Sequence, residues 1–348
     1  MTSMKIFEDI FKNHLEQNSS LVENFDSKDL DEISNIFSTE LSEALLKSEE
    51  SMLKERRKLY DLFIENNCIR WKKGFDRLES FIILCTEIGE FFNKSHRENA
   101  VKTDNLVFDI LVKHHARACL VSQEILFLLK GGYPDAALSR WRTLHEINVI
   151  ATFIQKNGHD CAERFHYHGY IEKYKAAIQM KEYEDRLNAE GPTEEELEDV
   201  KNIRNDLINK YGKSFTFEYG WACPYIYTEE KCQNKSKVTF IDIEKSVSLD
   251  HMRPYYKWAS KNTHATKEGL NPILGLSEAV EEMLLVGPSN SGMVDPAHSL
   301  AISLMQTICN LLLIEPNIDA YVFMRILHEF EKQIGEIFLN ISIEENTK

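Results

Sequence analysis

Proline, glycine and long apolar runs are scarce in this chain of 348 residues. These shortages argue against frequent helix breaks and against membrane-spanning helices. The eight prolines and 14 glycines lie mostly where helices are expected to stop, which leaves long helical stretches between them. No apolar run reaches the roughly 18 residues that a membrane-spanning helix needs, because polar residues interrupt even the most apolar stretch, 300–314. Residues 1–11 mix charged and apolar side chains and do not resemble a secretory signal. We therefore expect no membrane association and a cytoplasmic location.

Positive charge is also in short supply. The chain has 41 lysines and arginines against 56 aspartates and glutamates, a formal net charge of -15. Such a surface does not coat nucleic acid, because phosphate binding depends on neutralisation by Lys and Arg, although a local basic pocket remains compatible with it. The seven cysteines are scattered without a CxxC pair, which predicts mostly free thiols in a reducing compartment. No cofactor motif is present, and we expect no cofactor.

Apolar residues recur at helical spacing over most of the chain. Five long helices are expected from this pattern: 30–67 (as one helix or two), 71–92, 105–129, 134–155 and 159–188. Thr193 to Glu196 matches a capping box and predicts a sixth helix that ends near Tyr211. Three further helix signals lie near Pro254, near Leu276 and at Asp295-Pro296. Pro316 separates the last two helices.

The helical pattern breaks between Lys213 and Phe240, where aromatic residues accumulate. We expect an ordered irregular insertion over 213–245, with a short hairpin as an option. Connections are short and strands do not alternate with helices, so the fold class is all-α. The expected architecture is a helical bundle with an aromatic-rich irregular insertion and a helical N-terminal extension. Its parts are the extension 1–68, the bundle core 69–315 and a C-terminal helix 316–348.

Charged side chains with chemical potential cluster in the fourth expected helix. Arg142 and Glu146 are four residues apart and Arg142 and His145 three, so the three share roughly one helix face, and Arg140 precedes them. One interpretation is an exposed ion pair beside a histidine, which contributes little. The other is a cleft in which Arg142 holds a phosphate or carboxylate while His145 exchanges protons.

Four further side chains are candidates for binding: Tyr219, Trp221, Tyr256 and Ser260. Tyr256 and Ser260 share one helical stripe with His264, which either caps a helix end or reaches Arg142 and Glu146 across the bundle. The aromatic rings of the insertion either stack on a base or pack against the bundle.

Metal and serine-hydrolase chemistry have little support. His168 and Glu172 are one turn apart, but His166 and His168 diverge by about 200° around a helix, so no metal site is expected. The chain has no GxSxG, and the loop 287–292 lacks the Lys-Ser/Thr ending of a phosphate-binding loop.

Arg140 and His145 form an arginine–four residues–histidine pattern that resembles the motif of the HEPN superfamily. Those helical-bundle proteins include metal-independent ribonucleases and nucleotide-transfer modules, and the ribonucleases usually dimerise to build one site from two motifs. The resemblance implies a homodimer in which His145 acts as acid or base and Arg140 or Arg142 holds the phosphorane charge. The chain departs from the pattern at Trp141, where those enzymes often have a polar residue.

Four other elements resemble an uncharacterised bacterial family, domain of unknown function five-six-seven-seven: residues 131–137, 142–146, 219–222 and 256–264. The expected match spans roughly 71–313. The resemblance implies a helical fold and carries over Arg142, Glu146 and His264, whereas Arg140 and His145 stand outside the family pattern. It also implies a setting in bacterial stress, toxin action or phage defence.

Two hypotheses of function follow. The first is a HEPN-like ribonuclease or toxin-type effector that binds RNA or a nucleotide at a local site built from Arg140, Arg142, His145, Glu146 and His264. The second is a non-catalytic module that senses a ligand or binds a protein partner. In the second, Arg142 and Glu146 form a closed structural pair, and an apolar surface is exposed elsewhere.

Overall fold

The computed structural model describes residues 3–17, 27–233, 237–264, 267, 269–270 and 273–346. Every regular element in these residues is a helix, which confirms the all-α class. The chain divides into two compact units, Met1–Ile69 and Arg70–Lys348. None of the helices in the described ranges combines the length and hydrophobicity needed to cross a bilayer.

The first unit consists of α1 (Ser3–Gln17) and nearly all of α2 (Ser27–Arg70), which continues by one residue into the second unit. The stretch 30–67 is therefore one helix. The aromatic ring of Phe11 lies 5.8 Å from that of Phe7 and 5.7 Å from that of Phe37, so α1 and α2 contact each other through aromatic side chains.

The second unit is built on a bundle of long helices. They are α3 (Lys72–Lys102), α4 (Leu106–Lys130), α5 (Pro134–Leu187), α11 (Val294–Leu312) and α12 (Ile318–Asn346). The central helix is α11, which packs against the other four. This position explains why its sequence is the most apolar stretch of the chain, since each face of the helix is covered. Its buried side chains include Leu300, Leu304, Ile308 and Leu311.

A sharp bend divides α5 at Gly158, where the backbone has φ 75° and ψ -156°. A side chain there would meet nothing within 4 Å, so the positive φ is what requires glycine. The two expected helices, 134–155 and 159–188, are thus two arms of one element. Beyond it, α6 (Glu194–Tyr211) begins with the expected capping box, in which Thr193 and Glu196 each bond the other's backbone N–H.

We call residues 213–261 the aromatic insertion, since short helices joined by turns continue past the expected end at 245 to Lys261. They are 3-10 turns at Lys213–Thr216, Gly220–Ala222 and Asp250–Met252, and α7 (Cys223–Ile226), α8 (Glu229–Gln233), α9 (Phe240–Ser246) and α10 (Arg253–Lys261). No strand occurs in the part of the insertion that the structure describes, so the hairpin option is wrong there. Cys223 and Cys232 form a disulfide, which is an exception within the expected mostly free thiols, because α7 and α8 bring their Cα atoms to 5.9 Å. Cys85, Cys119, Cys161 and Cys309 are free thiols.

The stretch between α10 and α11 contains no helix in its described residues, so the helix expected near Leu276 is wrong. The backbone N–H groups of residues 273–275 bond a side chain on α5, and the residues that follow form only isolated turns. The next helix, α11, begins at Val294 with Met293 as its N-cap, so Asp295 lies in the first turn and is not the cap. Pro316 does separate α11 from α12.

Candidate functional site

The first half of α5 presents two different faces to its surroundings. Trp141 and Leu144 are fully buried toward the bundle, and the Trp141 indole N–H donates to Ser303 Oγ on α11 at 3.0 Å. This packing fixes the rotation of the helix about its axis. Arg142, His145 and Glu146 consequently point toward α9 and α10 of the aromatic insertion.

Arg142, Glu146 and Tyr256 form one hydrogen-bonded cluster. Arg142 Nε donates to Glu146 Oε1 at 3.1 Å, and the Tyr256 hydroxyl donates to the same oxygen at 2.6 Å. Burial raises the pKa of Tyr256 to about 12, aided by the hydrogen bond to Glu146, so its hydroxyl keeps its proton. Burial alone would lower the pKa of Arg142, but the neighbouring Tyr256 hydroxyl and Glu146 carboxylate outweigh it and raise that pKa.

His145 lies in a second, buried cluster that the sequence analysis did not foresee. Its Nε2 is 2.9 Å from Glu244 Oε1, and the other oxygen of Glu244 accepts from Arg253 at 2.6 Å. His145 is 1% exposed and Glu244 is fully buried. A carboxylate only accepts hydrogen bonds when ionised, so Nε2 of His145 is the donor in this pair.

The remaining ring nitrogen of His145, Nδ1, is buried and has no hydrogen-bond partner within the described residues. The imidazole is surrounded by the rings of Trp141, Phe240 and Tyr256, at centroid distances of 5.3, 6.1 and 5.8 Å. An acid or base must come within hydrogen-bond reach of the proton it transfers, and these rings stand in that path.

Tyr256 connects the two clusters. The guanidinium of Arg142 lies 4.9 Å from its ring centroid and that of Arg253 lies 4.8 Å from it. Two cations against one ring are compatible because Glu146 and Glu244 each neutralise one of them. No local sequence signal points to Glu244, which lies 99 residues from His145 along the chain.

Both clusters lie within the part of the chain that resembles a known protein family. A family model described as Family of unknown function (DUF5677) matches residues 108–282, half of the chain. This chain is a member of that family. No curated protein and no solved structure matches it. The family match is narrower than the expected 71–313, and it contains all four elements on which the resemblance was based.

Other predicted residues of this DUF5677 member lie apart from the two clusters. Arg140 pairs with Glu124 on α4 and also donates to Thr143 at 3.3 Å. His264 follows α10 with an exposed side chain, and no contact in the described part of the chain links it to Arg142 or Glu146. Ser260 donates to the Tyr256 carbonyl at 2.8 Å, a bond within its own helix.

The two aromatic candidates of the insertion differ in position. Trp221 is buried, and its ring meets Phe153 and Phe165 edge-on at 5.5 and 5.0 Å, so it packs against α5. Burial, aided by the negative charges of Glu218 and Glu146, raises the pKa of Tyr219. Its ring is 6.2 Å from that of Phe240.

The histidines considered for a metal have other partners. His168 Nε2 is 2.8 Å from the Phe217 carbonyl, and burial lowers the pKa of its imidazole. Glu172 is 3.9 Å from His168 and bonds Lys175 at 2.8 Å. No group of three or more metal-ligating side chains is found in the ranges that the structure describes.

A second surface feature lies between α10 and α11. We call residues 280–286 the apolar tip, because Val280, Leu284 and Val286 are 98%, 87% and 96% exposed. Large exposed aliphatic side chains in one short segment are unusual on a monomer and mark interaction sites.

Hydrogen bonds fix both ends of this segment. On its N-terminal side, the Asp135 carboxylate accepts three backbone N–H groups, from Ile273, Leu274 and Gly275, at 2.8–3.1 Å. On its C-terminal side, the N–H of Ser289 donates to the Gly132 carbonyl and the Trp71 indole to the Asn290 carbonyl, both at 2.8 Å. This role of Asp135 was not expected from the sequence, because an aspartate in the first turn of a helix normally indicates only a favourable interaction with the helix dipole.

Proposed function

We propose that this DUF5677 member is a non-catalytic protein-interaction module that binds its partner through the apolar tip. The observation that carries the proposal is the exposure of Val280, Leu284 and Val286 on a segment whose ends are anchored. Burying one such side chain contributes roughly 1.5–3 kcal/mol. Anchored ends reduce the conformational entropy that the segment loses on binding.

Charge indicates what kind of protein would cover the tip. Glu281 and Glu282 are exposed within it, in a chain with a net charge of -15. A partner with an apolar groove and a rim of lysine or arginine complements this surface. A second copy of the chain would bring like charges together, which opposes association. The predicted homodimer is therefore one outcome of the test and not the proposed complex.

A ribonuclease of the HEPN kind has less support. It needs an accessible acid or base and a cation available to phosphate, whereas His145 is enclosed and Arg140, Arg142 and Arg253 each bond a carboxylate. We expect the purified chain to leave RNA intact at equimolar enzyme and RNA, as judged by gel electrophoresis. The control variant is Lys201→Ala, on an exposed face of α6. RNA cleavage by the wild type and by this control, but not by Arg142→Ala, would restore the nuclease hypothesis. A toxin or phage-defence role stays a prediction.

The docking proposal is tested with a double variant, Leu284→Ser with Val286→Ser, and a matched control. Val101→Ser with Leu120→Ser removes two exposed aliphatic side chains, 69% and 51% exposed, elsewhere in the second unit. A protein that copurifies with the wild-type and control chains is purified and titrated against all three by calorimetry. The tip variant is expected to bind at least about tenfold more weakly, since about 1.4 kcal/mol corresponds to a factor of ten. Binding should also weaken with added salt.

Any of three results would overturn the proposal, and the first two concern the partner. One is a partner whose affinity is the same for the tip variant and the wild type, and another is the lack of any protein whose copurification depends on Leu284 and Val286. The third is a wild-type dimer in sedimentation velocity that the tip variant alone converts to monomer. That result would replace the proposed partner with a second copy of the chain.

A further inference from the structure

A cavity of about 650 Å³ lies between α5, the end of α6 and the short helices α7 and α8. Its volume falls within the range of roughly 300–1,000 Å³ that is typical of small-molecule sites. None of its lining residues belongs to the apolar tip or to the Arg142 and His145 clusters. Whatever it does is therefore separate from the function proposed above.

Cationic side chains converge on this cavity in a chain that is strongly acidic. Arg164, Lys210 and Lys213 line it, and Glu229 lies on the same wall. Lys210 is already paired with Glu163 at 2.6 Å, so its charge is largely matched. Arg164 and Lys213 form no ion pair with any carboxylate in the described residues, which leaves the cavity locally positive.

Arg164 is held in a fixed orientation. Its Nε donates to the Trp221 carbonyl at 3.0 Å, and its guanidinium lies over the rings of Tyr211 and Phe215, at 4.5 and 5.3 Å from their centroids. Nε is therefore committed, while the two terminal nitrogens have no partner in the part of the chain that the structure describes. A planar guanidinium with two unused N–H groups matches two oxygens of a phosphate or carboxylate. Burial lowers the pKa of Arg164, and the negative charge of nearby Asp160 opposes this shift without cancelling it.

The rest of the wall is suited to an organic group. Tyr211, Pro224 and Tyr227 line the cavity together with the Cys223–Cys232 disulfide. Aromatic and apolar walls around a few fixed polar groups are the usual composition of a small-molecule site. Arg164 and Lys213 together offer two positive charges against the single carboxylate of the wall, Glu229, and so match a phosphate monoester, whose charge near neutral pH is about -1.5 to -2, better than a monocarboxylate.

We propose that this cavity binds a small organic phosphate monoester, with its phosphate on Arg164 and Lys213 and its organic part against Tyr211 and Tyr227. Arg164 supplies a bidentate pair of donors, and Lys213 adds a point charge from the turn that follows α6. The binding needs no metal and no covalent step. The protein partner of the apolar tip is not required for it.

Phenyl phosphate is a suitable probe, compared with inorganic phosphate, benzoate and phenol by calorimetry on the full-length chain. Phenyl phosphate is expected to bind most tightly and phenol not at all. Arg164→Gln should weaken phenyl phosphate binding about ten- to hundredfold, because it removes two charge-assisted hydrogen bonds. Lys213→Gln, an exposed substitution that leaves packing unchanged, should weaken it about threefold. Lys201→Gln on the same helix as Lys210 lies outside the cavity and should leave the affinity unchanged.

Circular dichroism establishes whether each variant is folded. If Arg164→Gln does not fold, Lys213→Gln alone tests the proposal. The proposal is overturned if phenyl phosphate does not bind at about 10 mM or binds the Lys213→Gln chain as tightly as the wild type. Equal affinity for benzoate would overturn the assignment of phosphate, and equal affinity for inorganic phosphate would overturn that of the organic ester. The Leu284→Ser, Val286→Ser variant should bind phenyl phosphate normally, which separates this proposal from the docking proposal.

Discussion

His145 and Glu146 are neighbours in sequence, but the helix places them in different environments. Consecutive residues of a helix are about 100° apart around its axis, so one side chain faces the insertion core while the other reaches its edge. The His145 side chain is 1% exposed and that of Glu146 is 37% exposed. The two carboxylates differ in the same way. Glu244, the partner of His145, is fully buried, whereas Glu146 and its partner Arg142 are partly exposed to solvent.

This difference predicts unequal costs for removing the two carboxylates. Glu244→Gln keeps the shape of the side chain but removes the charge that Arg253 bonds at 2.6 Å. Breaking a buried pair costs about 3–5 kcal/mol, and the partial exposure of Arg253 places the expected loss near the lower end. Glu146→Gln in the partly exposed pair should cost about 1 kcal/mol or less. Urea denaturation of both variants at pH 7 measures the free energies of unfolding. Equal losses would mean that Glu244 is no better shielded from solvent than Glu146.

At the scale of elements, local chemistry was enough to predict most helices. The Thr193 capping box, Gly158 and Pro316 each set a boundary through interactions within a few residues of themselves. The helix expected near Leu276 fails for the opposite reason. The backbone N–H groups of Ile273, Leu274 and Gly275, just before it, bond the carboxylate of Asp135, about 140 residues earlier, and no local pattern contains that information.

The candidate site was only half predictable on the same grounds. The Arg142–Glu146 pair follows from helical spacing and is present. The partners that decide the chemistry of His145 come from α9 and α10, and the disulfide depends on how α7 and α8 pack. Helical periodicity shows which side chains share a face, but it does not show which distant element covers that face. The same limit applies to His264. The family resemblance groups it with Arg142, but helical periodicity does not show where the segment after α10 lies.

For the molecule as a whole, buried imidazoles on α4 and α5 set the response to acid. Burial lowers the pKa of His115 to about 4, against an ordinary value near 6.5, and it lowers the pKa values of His114 and His168 as well. In the unfolded chain these groups regain their ordinary pKa values and bind protons first as the pH falls. A group whose folded pKa is depressed thus contributes stability above its unfolded pKa, and that stability is lost as the pH falls toward the folded pKa. The carboxylate of Glu331, whose pKa is lowered by the hydrogen bond from His298, adds its loss only at more acidic pH.

The free energy of unfolding should therefore begin to fall below about pH 6.5, before carboxylates are protonated. Between pH 7 and pH 4.5, His115 alone accounts for about 2–3 kcal/mol of this loss, because each unit of pKa shift is worth about 1.4 kcal/mol. His115→Gln removes the titratable imidazole. The difference between the free energies of unfolding at pH 7 and pH 4.5 should therefore shrink by about 2–3 kcal/mol, even if the variant is less stable at pH 7. His166→Gln, which removes an exposed imidazole from α5, should leave the difference unchanged. Urea denaturation at both pH values measures it. The same pH dependence in His115→Gln and wild type would show that His115 takes up its proton while the chain is still folded.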